Sequence, residues 1–324
     1  MVPTPEAAPS DETAPTPDPF RGEEGDPVVP DRWTHNVVVA NDIEVSYYRA
    51  GRDAADAAAT VIVAHGFFED ARCKRRVVNA LADDGYDVVA YDARGHGHTD
   101  APESGYAPAD RVADLVGVLD ALDLENPVLY GHSMGGSTVA KTAAEHPERV
   151  AGVVTEDPAG LRSMADLDLD EIATEMREDV REDLAKSFDE LLAAYEDPDD
   201  DPASAVDEIP PELYATFARS DQRTSEHVAA VPRAGYPALA DVFPEVEVPA
   251  LVLRRDHATV PGSIRDGSPV EERATDLDLA ASLPDGRLVH VPGAGHHVVL
   301  TAEDAALAEI HAFLARLDES DDRD

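Results

Sequence analysis

The fold is constrained most by a series of short, almost wholly apolar segments that alternate with segments of helical spacing. Strands are predicted at residues 60–64, 86–91, 127–130, 150–155, 249–253 and 286–291. Helices are predicted at residues 72–84, 107–122 and 133–145. A strand that is apolar along its whole length must be covered on both faces. The pattern therefore predicts an α/β fold, with a mostly parallel sheet between two layers of helices.

The two ends of the folded region depart from this pattern. Residues 37–39 and 43–48, which flank Asn41-Asp42, predict a β-hairpin because β-branched and aromatic residues surround a turn pair. A last helix is predicted from Thr301, whose hydroxyl would cap the helix together with Asp304.

The alternation of strands and helices is interrupted by an acidic segment of helical spacing, residues 160–245. An apolar residue recurs there at every fourth position, in Ile172, Met176, Val180, Leu184 and Phe188. We interpret this segment as a helical cap inserted into a core formed by residues 33–159 and 246–317. Residues 1–32 are acidic and rich in proline, which predicts a disordered tail, and residues 318–324 form a second acidic tail.

The net charge excludes several classes of partner. The chain has 324 residues with 26 Lys plus Arg against 68 Asp plus Glu, a formal net charge of −42. Nucleic acids and anionic membranes bind through Lys and Arg, so neither is expected as a partner, and a small-molecule substrate is. The single cysteine, Cys73, excludes a disulfide framework. Without a membrane span or a secretory signal in the sequence, we expect a cytoplasmic protein.

A serine within a glycine-rich turn is the main candidate for chemistry. Residues 131–136 read Gly131-His132-Ser133-Met134-Gly135-Gly136 and lie between a predicted strand and a predicted helix. A nucleophile on a sharp strand-to-helix turn needs neighbours without side chains at positions −2 and +2, which Gly131 and Gly135 provide. The start of the helix also directs backbone N–H groups toward the site.

A serine nucleophile needs a base, and position selects one of the histidines. His296 and His297 lie in a glycine-rich loop after the last strand, at the edge of the sheet where open α/β proteins place their sites. We assign His296 as the base and leave His297 as a flanking residue. His96 and His98 have no acid or cysteine partner at a convincing spacing, so no metal site and no cofactor are expected.

Four ordered motifs make residues 34–317 resemble the cap-bearing, serine-nucleophile, lipase- and esterase-like members of the α/β-hydrolase superfamily. They are His65-Gly66-Phe67-Phe68, the segment from Asp92 to Thr99, the turn at Ser133, and Gly295-His296. The resemblance implies an oxyanion hole formed by the backbone N–H groups of Phe67 and Met134. It also implies that Phe67, Phe68 and His132 contact the substrate.

The acid that would orient the base departs from the pattern of the family. Most members carry it in the loop after the strand at 249–253, where this chain has Ala258 at the expected position and Asp256 two residues earlier. Some relatives instead carry the acid at the end of the strand after the turn helix, where this chain has Asp157. We assign Asp157, with Asp256 and then Glu156 as alternatives.

The sequence thus predicts a serine hydrolase that cleaves a carboxylic ester or a related acyl bond of a small, largely apolar substrate. Lactonase, C–C-bond hydrolase and cofactor-free perhydrolase activities use the same groups and remain open. Epoxide hydrolases and dehalogenases of this fold use an aspartate at the turn, so Ser133 argues against both. A non-catalytic small-molecule receptor is the alternative from another class.

The acidic composition itself generates a prediction. The lysines are Lys74, Lys141 and Lys186, so the remaining basic residues are arginines, and acids occur all along the chain. Surfaces of this kind remain hydrated when salt screens their repulsion, which favours origin in a halophile. We expect the melting temperature to rise from dilute buffer to molar KCl. A protein that is fully stable in dilute buffer and gains nothing from KCl would contradict this interpretation.

Overall fold

The computed structural model describes residues 32–52, 54–67, 69–160, 174, 231, 234–256 and 269–321. The predicted tail at 1–32 (except Arg32), Phe68, and the apolar positions predicted for the cap lie outside these residues. The strands are β1 (Thr34–Ala40), β2 (Ile43–Gly51), β3 (Thr60–Ala64), β4 (Asp87–Tyr91), β5 (Val128–His132), β6 (Gly152–Glu156), β7 (Ala250–Arg254) and β8 (Gly286–His290). The helices are α1 (Arg75–Asp83), α2 (Pro108–Ala121), α3 (Met134–Glu145), α4 (Leu239–Val242), α5 (Pro269–Ser282), α6 (Val298–Thr301) and α7 (Glu303–Asp321).

These strands form one eight-stranded sheet in the order β1-β2-β4-β3-β5-β6-β7-β8. The predicted hairpin is confirmed: β1 pairs antiparallel with β2, and both Asn41 and Asp42 have positive φ, the conformation of a two-residue hairpin turn. β2 is also antiparallel to β4, and every pair from β4 to β8 is parallel. The predicted α/β class with a mostly parallel sheet is therefore confirmed.

Alternate residues of the central strands are buried in two separate cores. In β3, Val61 and Val63 belong to one core, and Ile62 and Ala64 belong to the other. One core also contains residues of α2, α3 and α4, and the other contains residues of α1, α6 and α7. Burial on both faces explains why these strands are continuous apolar runs.

Three details differ from the sequence predictions. Helix α5 was not predicted, although it lies between β7 and β8 as an α/β alternation requires. Leu239, Val242 and Phe243 pack in the core against α3, whereas the sequence analysis places them in the cap at 160–245. Thr301 ends α6 instead of capping the last helix, because its hydroxyl donates to the His297 carbonyl.

The order of parallel strands brings several candidate residues to one edge of the sheet. His132 at the end of β5 is paired with Glu156 at the end of β6, so Ser133 and Asp157 are the next residues of neighbouring strands. Within the part of the chain that the structure describes, no helix is long and apolar enough to cross a membrane.

Candidate active site

Ser133 occupies a strained backbone conformation between β5 and α3. Its φ is 49° and its ψ is −112°, outside the regions that residues with a Cβ ordinarily adopt. The Ser133 N–H donates to the Glu156 carbonyl at 2.9 Å, and the Ser133 carbonyl accepts from Ala159 N–H at 3.0 Å. These bonds hold the turn against the end of β6, so the strain is compensated by the surrounding structure.

The glycines flanking the turn are required by close backbone approach. A Cβ at Gly131 would overlap the carbonyl of Gly135, and a Cβ at Gly135 would overlap the carbonyls of Ala64 and His65. The turn therefore packs directly on the end of β3. This explains in physical terms the spacing of glycines around Ser133.

Asp157 and His296 are in direct contact. The Nδ1 of His296 lies 2.5 Å from Oδ2 of Asp157, and the Asp157 side chain is fully buried. Since Asp157 is acceptor-only when ionised, Nδ1 carries the proton and Nε2 is the ring nitrogen available as a base. The aromatic rings of His296 and His132 lie 4.7 Å apart, which places His296 next to the residue preceding Ser133.

The other two candidate acids bind elsewhere. Oδ2 of Asp256 accepts from the Gly293 N–H at 3.0 Å. Glu156 accepts from the Tyr130 hydroxyl and, at 2.8 Å, from the Val299 N–H. Among the three carboxylates considered from the sequence, Asp157 is the one that the structure brings to His296.

Two arginines hold Asp157 in its ionised form. Arg254 pairs with Oδ1 of Asp157, and the Nη2 of Arg255 lies 2.6 Å from Oδ2. Burial alone would raise the pKa of Asp157, but the Arg254 and Arg255 guanidinium groups and His296 hold that pKa well below its usual value. The sequence analysis did not identify these arginines, although they directly precede Asp256 in the loop where most family members carry the acid.

The electrostatics of His296 favour the neutral imidazole. Burial lowers its pKa from 6.5, and the contact with Asp157 offsets only part of this decrease. His132 and Arg255 lower the pKa further, because both carry or can carry positive charge. A neutral ring with its proton on Nδ1 is the form that can accept a proton at Nε2.

The loop after β3 is held by its own histidine. His65 Nε2 accepts from the Ala93 N–H at 2.9 Å, so the proton of the ring is on Nδ1, which donates to the Gly66 carbonyl at 2.7 Å. In a planar trans peptide the C=O and the following N–H point in opposite directions. Fixing the Gly66 carbonyl thus orients the N–H of Phe67, the predicted oxyanion donor.

Three further histidines near the site lie in two environments. His96 is buried, with Nδ1 3.0 Å from the Arg94 carbonyl, and burial lowers its pKa to about 3. His132 and His297 both face the buried carboxylate of Glu69, at 3.0 Å and 3.2 Å. His132 is 1% exposed, so its placement does not favour the substrate contact that the sequence predicts for it.

Glu69, His132 and His297 also form a group of side chains with the spacing of metal ligands, since their ligand atoms lie within 4.8 Å of one another. However, the Lys74 ammonium lies 2.8 Å from Oε2 of Glu69 and already supplies a positive charge at this carboxylate. A metal ion would have to displace a buried lysine, so the chemistry of this group does not favour a metal.

Comparisons with known proteins agree with this fold. A segment of 112 residues is 34% identical to a putative non-heme haloperoxidase of Mycobacterium phage D29 and covers 35% of this chain and 40% of that protein. A segment of 122 residues is 39% identical to epoxide hydrolase A of Mycobacterium tuberculosis and covers 37% of each chain. The chain thus matches less than half the length of either relative.

Similarity extends over most of the chain at the level of structure. The enol-lactonase from Burkholderia xenovorans LB400 has a TM-score of 0.63 and 23% identity, over 86% of this chain and 100% of the enol-lactonase. A family model described as alpha/beta hydrolase fold matches residues 59–303. The chain therefore belongs to the alpha/beta hydrolase fold family.

Proposed function

We propose that this protein is a serine hydrolase that cleaves a carboxylic ester or a related acyl bond of a small, largely apolar substrate. The observation that carries the proposal is the 2.5 Å contact between His296 and the buried Asp157, at the strand edge where Ser133 sits on its strained turn. A nucleophile, a base and an orienting acid are the three groups that acyl transfer requires.

In the proposed mechanism, the Ser133 hydroxyl attacks the acyl carbonyl while His296 Nε2 takes its proton. The N–H groups of Phe67 and Met134 stabilise the negative charge that develops on the oxygen. His296 then protonates the leaving alcohol and activates a water molecule, which hydrolyses the acyl-enzyme. Asp157 stabilises the positive charge on the His296 ring during both steps.

The relatives suggest further activities for the same groups. A lactone is an internal ester, so the structural similarity to an enol-lactonase adds lactones to the substrates to test. The similarity to a putative haloperoxidase adds perhydrolysis to the activities to test. In perhydrolysis, hydrogen peroxide replaces water in the second step. The epoxide hydrolase relative carries less weight, because epoxide hydrolases of this fold use an aspartate where this chain has Ser133.

Replacement of the nucleophile tests the proposal directly. We expect Ser133→Ala to lose roughly 10⁶-fold in kcat on p-nitrophenyl esters, the scale of loss for a protease nucleophile. A fluorophosphonate should label the wild type and not Ser133→Ala. The matched control is Ser282→Ala, a remote serine on α5 whose hydroxyl donates to Leu279. Unchanged hydrolysis by Ser133→Ala, or a wild type that resists labelling, would refute the proposal and favour a receptor.

A comparison of two aspartates tests the acid. We expect Asp157→Asn to lose about 10⁴-fold in kcat, as in a serine-protease triad, and to lower the melting temperature, because Arg255 loses the Asp157 carboxylate while Arg254 keeps Asp276 at 3.1 Å. Asp256→Asn should stay within a few-fold, since an amide oxygen can still accept from Gly293. Kinetics are measured well below the melting temperature of each variant. A near-normal kcat for Asp157→Asn would rule out this acid.

The lowered pKa of His296 predicts the pH profile. Protonation of the base abolishes its function, so kcat/KM falls as the pH decreases through this pKa. Because the pKa is lowered from 6.5, we expect the acidic limb of kcat/KM for the free enzyme below pH 6.5. Asp256→Asn should leave the limb unchanged, and a limb above pH 6.5 would contradict the interpretation.

A further inference from the structure

A buried carboxylate that the mechanism does not use, Glu69, lies beside the candidate active site. Glu69 is 2% exposed, and its two oxygens contact Lys74 at 2.8–2.9 Å, His132 at 3.0 Å and His297 at 3.2 Å. Burial alone would raise the pKa of Glu69, but His132 and Lys74 hold that pKa well below its usual value. The group is therefore an anion that accepts several donors.

The same carboxylate also holds the predicted oxyanion loop. Oε2 of Glu69 accepts from the Gly66 N–H at 2.6 Å, while His65 holds the carbonyl of Gly66. Both polar groups of Gly66 are thus fixed, and with them the peptide that carries the N–H of Phe67. A Cβ at Gly66 would lie 2.8 Å from Nδ1 of His132 and 3.2 Å from the Glu69 carboxyl carbon, so the loop packs tightly on both residues.

His132 lies between Glu69 and the loop that carries His296. Its Nε2 lies 3.1 Å from the backbone carbonyl of His296, and its Nδ1 lies 3.0 Å from Oε1 of Glu69. Since a carbonyl oxygen only accepts, Nε2 carries a proton and donates to His296. The His132 ring therefore packs against Glu69 and is bonded to the loop of the base.

Charged and titratable groups surround the His132 ring. They include Glu69, Glu156, Lys74, His296 and His297. Burial lowers the pKa of His297 to about 4, so His297 is neutral at neutral pH. The Lys74 ammonium, 2.8 Å from Oε2 of Glu69, is therefore the permanent cation of the five and balances the Glu69 carboxylate.

We infer that Glu69 and His132 form a positioning link between the oxyanion loop at Gly66 and the loop that carries His296. The link runs from the Gly66 N–H through Glu69 and His132 to the carbonyl of His296. It rests on the proposed function, because it gives Glu69 and His132 the task of holding the oxyanion donor and the base in register. The link gives His132 a positioning role in place of the substrate contact that the resemblance implied.

Two variants at Glu69 separate geometry from charge. Glu69→Ala removes every contact, and we expect kcat to fall about 100-fold with little change in KM, because displacement by about 1 Å can cost this much. Glu69→Gln combined with Lys74→Met removes both charges, yet the amide oxygen can still accept from the Gly66 N–H and the side chain still packs against His132. We expect this double variant to recover kcat to within about tenfold of the wild type.

The matched control is Asp87→Asn. Asp87 is a fully buried carboxylate, paired with Arg49 at 2.7 Å at the start of β4, the opposite end of the strand from the site. Its replacement should lower the melting temperature while kcat stays close to wild type. Equal losses of kcat in Glu69→Ala and Asp87→Asn would overturn the link, because the effect would then follow stability alone.

The hydrogen bond from the Gly66 N–H to Glu69 can be measured without activity. In ¹⁵N-labelled protein we expect the Gly66 N–H to exchange slowly with solvent in the wild type and in Asp87→Asn, and faster in Glu69→Ala. Equal exchange of this N–H in the wild type and in Glu69→Ala would overturn the inference. If the fluorophosphonate fails to label the wild type, the proposed function fails, and this measurement still decides whether Glu69 holds the loop.

Discussion

The arrangement of the site depends on the close approach of the turn at Ser133 to the end of strand β3. A side chain at Gly135 would overlap the carbonyls of Ala64 and His65, so the turn can pack there only without one. This packing holds a non-glycine residue at positive φ and sets it beside the end of β6. The strain at Ser133 is compensated by backbone hydrogen bonds and by the sheet beneath it.

Buried cations are the second feature that organises the molecule. The chain has few basic residues against many acids, yet Arg72, Lys74, Arg94 and Arg254 are almost fully buried beside carboxylates. Removing one partner of such a pair leaves an uncompensated charge, which is costly in a low-dielectric interior. Among the described residues, these buried basic side chains thus fix the positions of carboxylates inside the protein.

Much of the fold followed from residue order, because each central strand is buried on both faces and must therefore be apolar. The hairpin at Asn41-Asp42 was predictable from the residue types around the turn, and the central strands were predictable from their apolar runs. Helix α5 and the role of Thr301 were not. Thr301 bonds to Gly295 and His297 across a loop, and sequence spacing alone could not distinguish this contact from a helix cap. The same holds for Glu69, whose partners come from three separate segments.

The sequence by itself determined the α/β alternation, the turn at Ser133 with its glycines, and a histidine in the loop after the last strand. It left three carboxylates as partners for His296. The tertiary structure brought Asp157 to His296, because β6 lies beside β5 and Asp157, the residue after β6, lies at the same edge of the sheet as Ser133. The pairing of a carboxylate depends on which strand ends are neighbours, and strand order is a property of the folded sheet, not of local sequence.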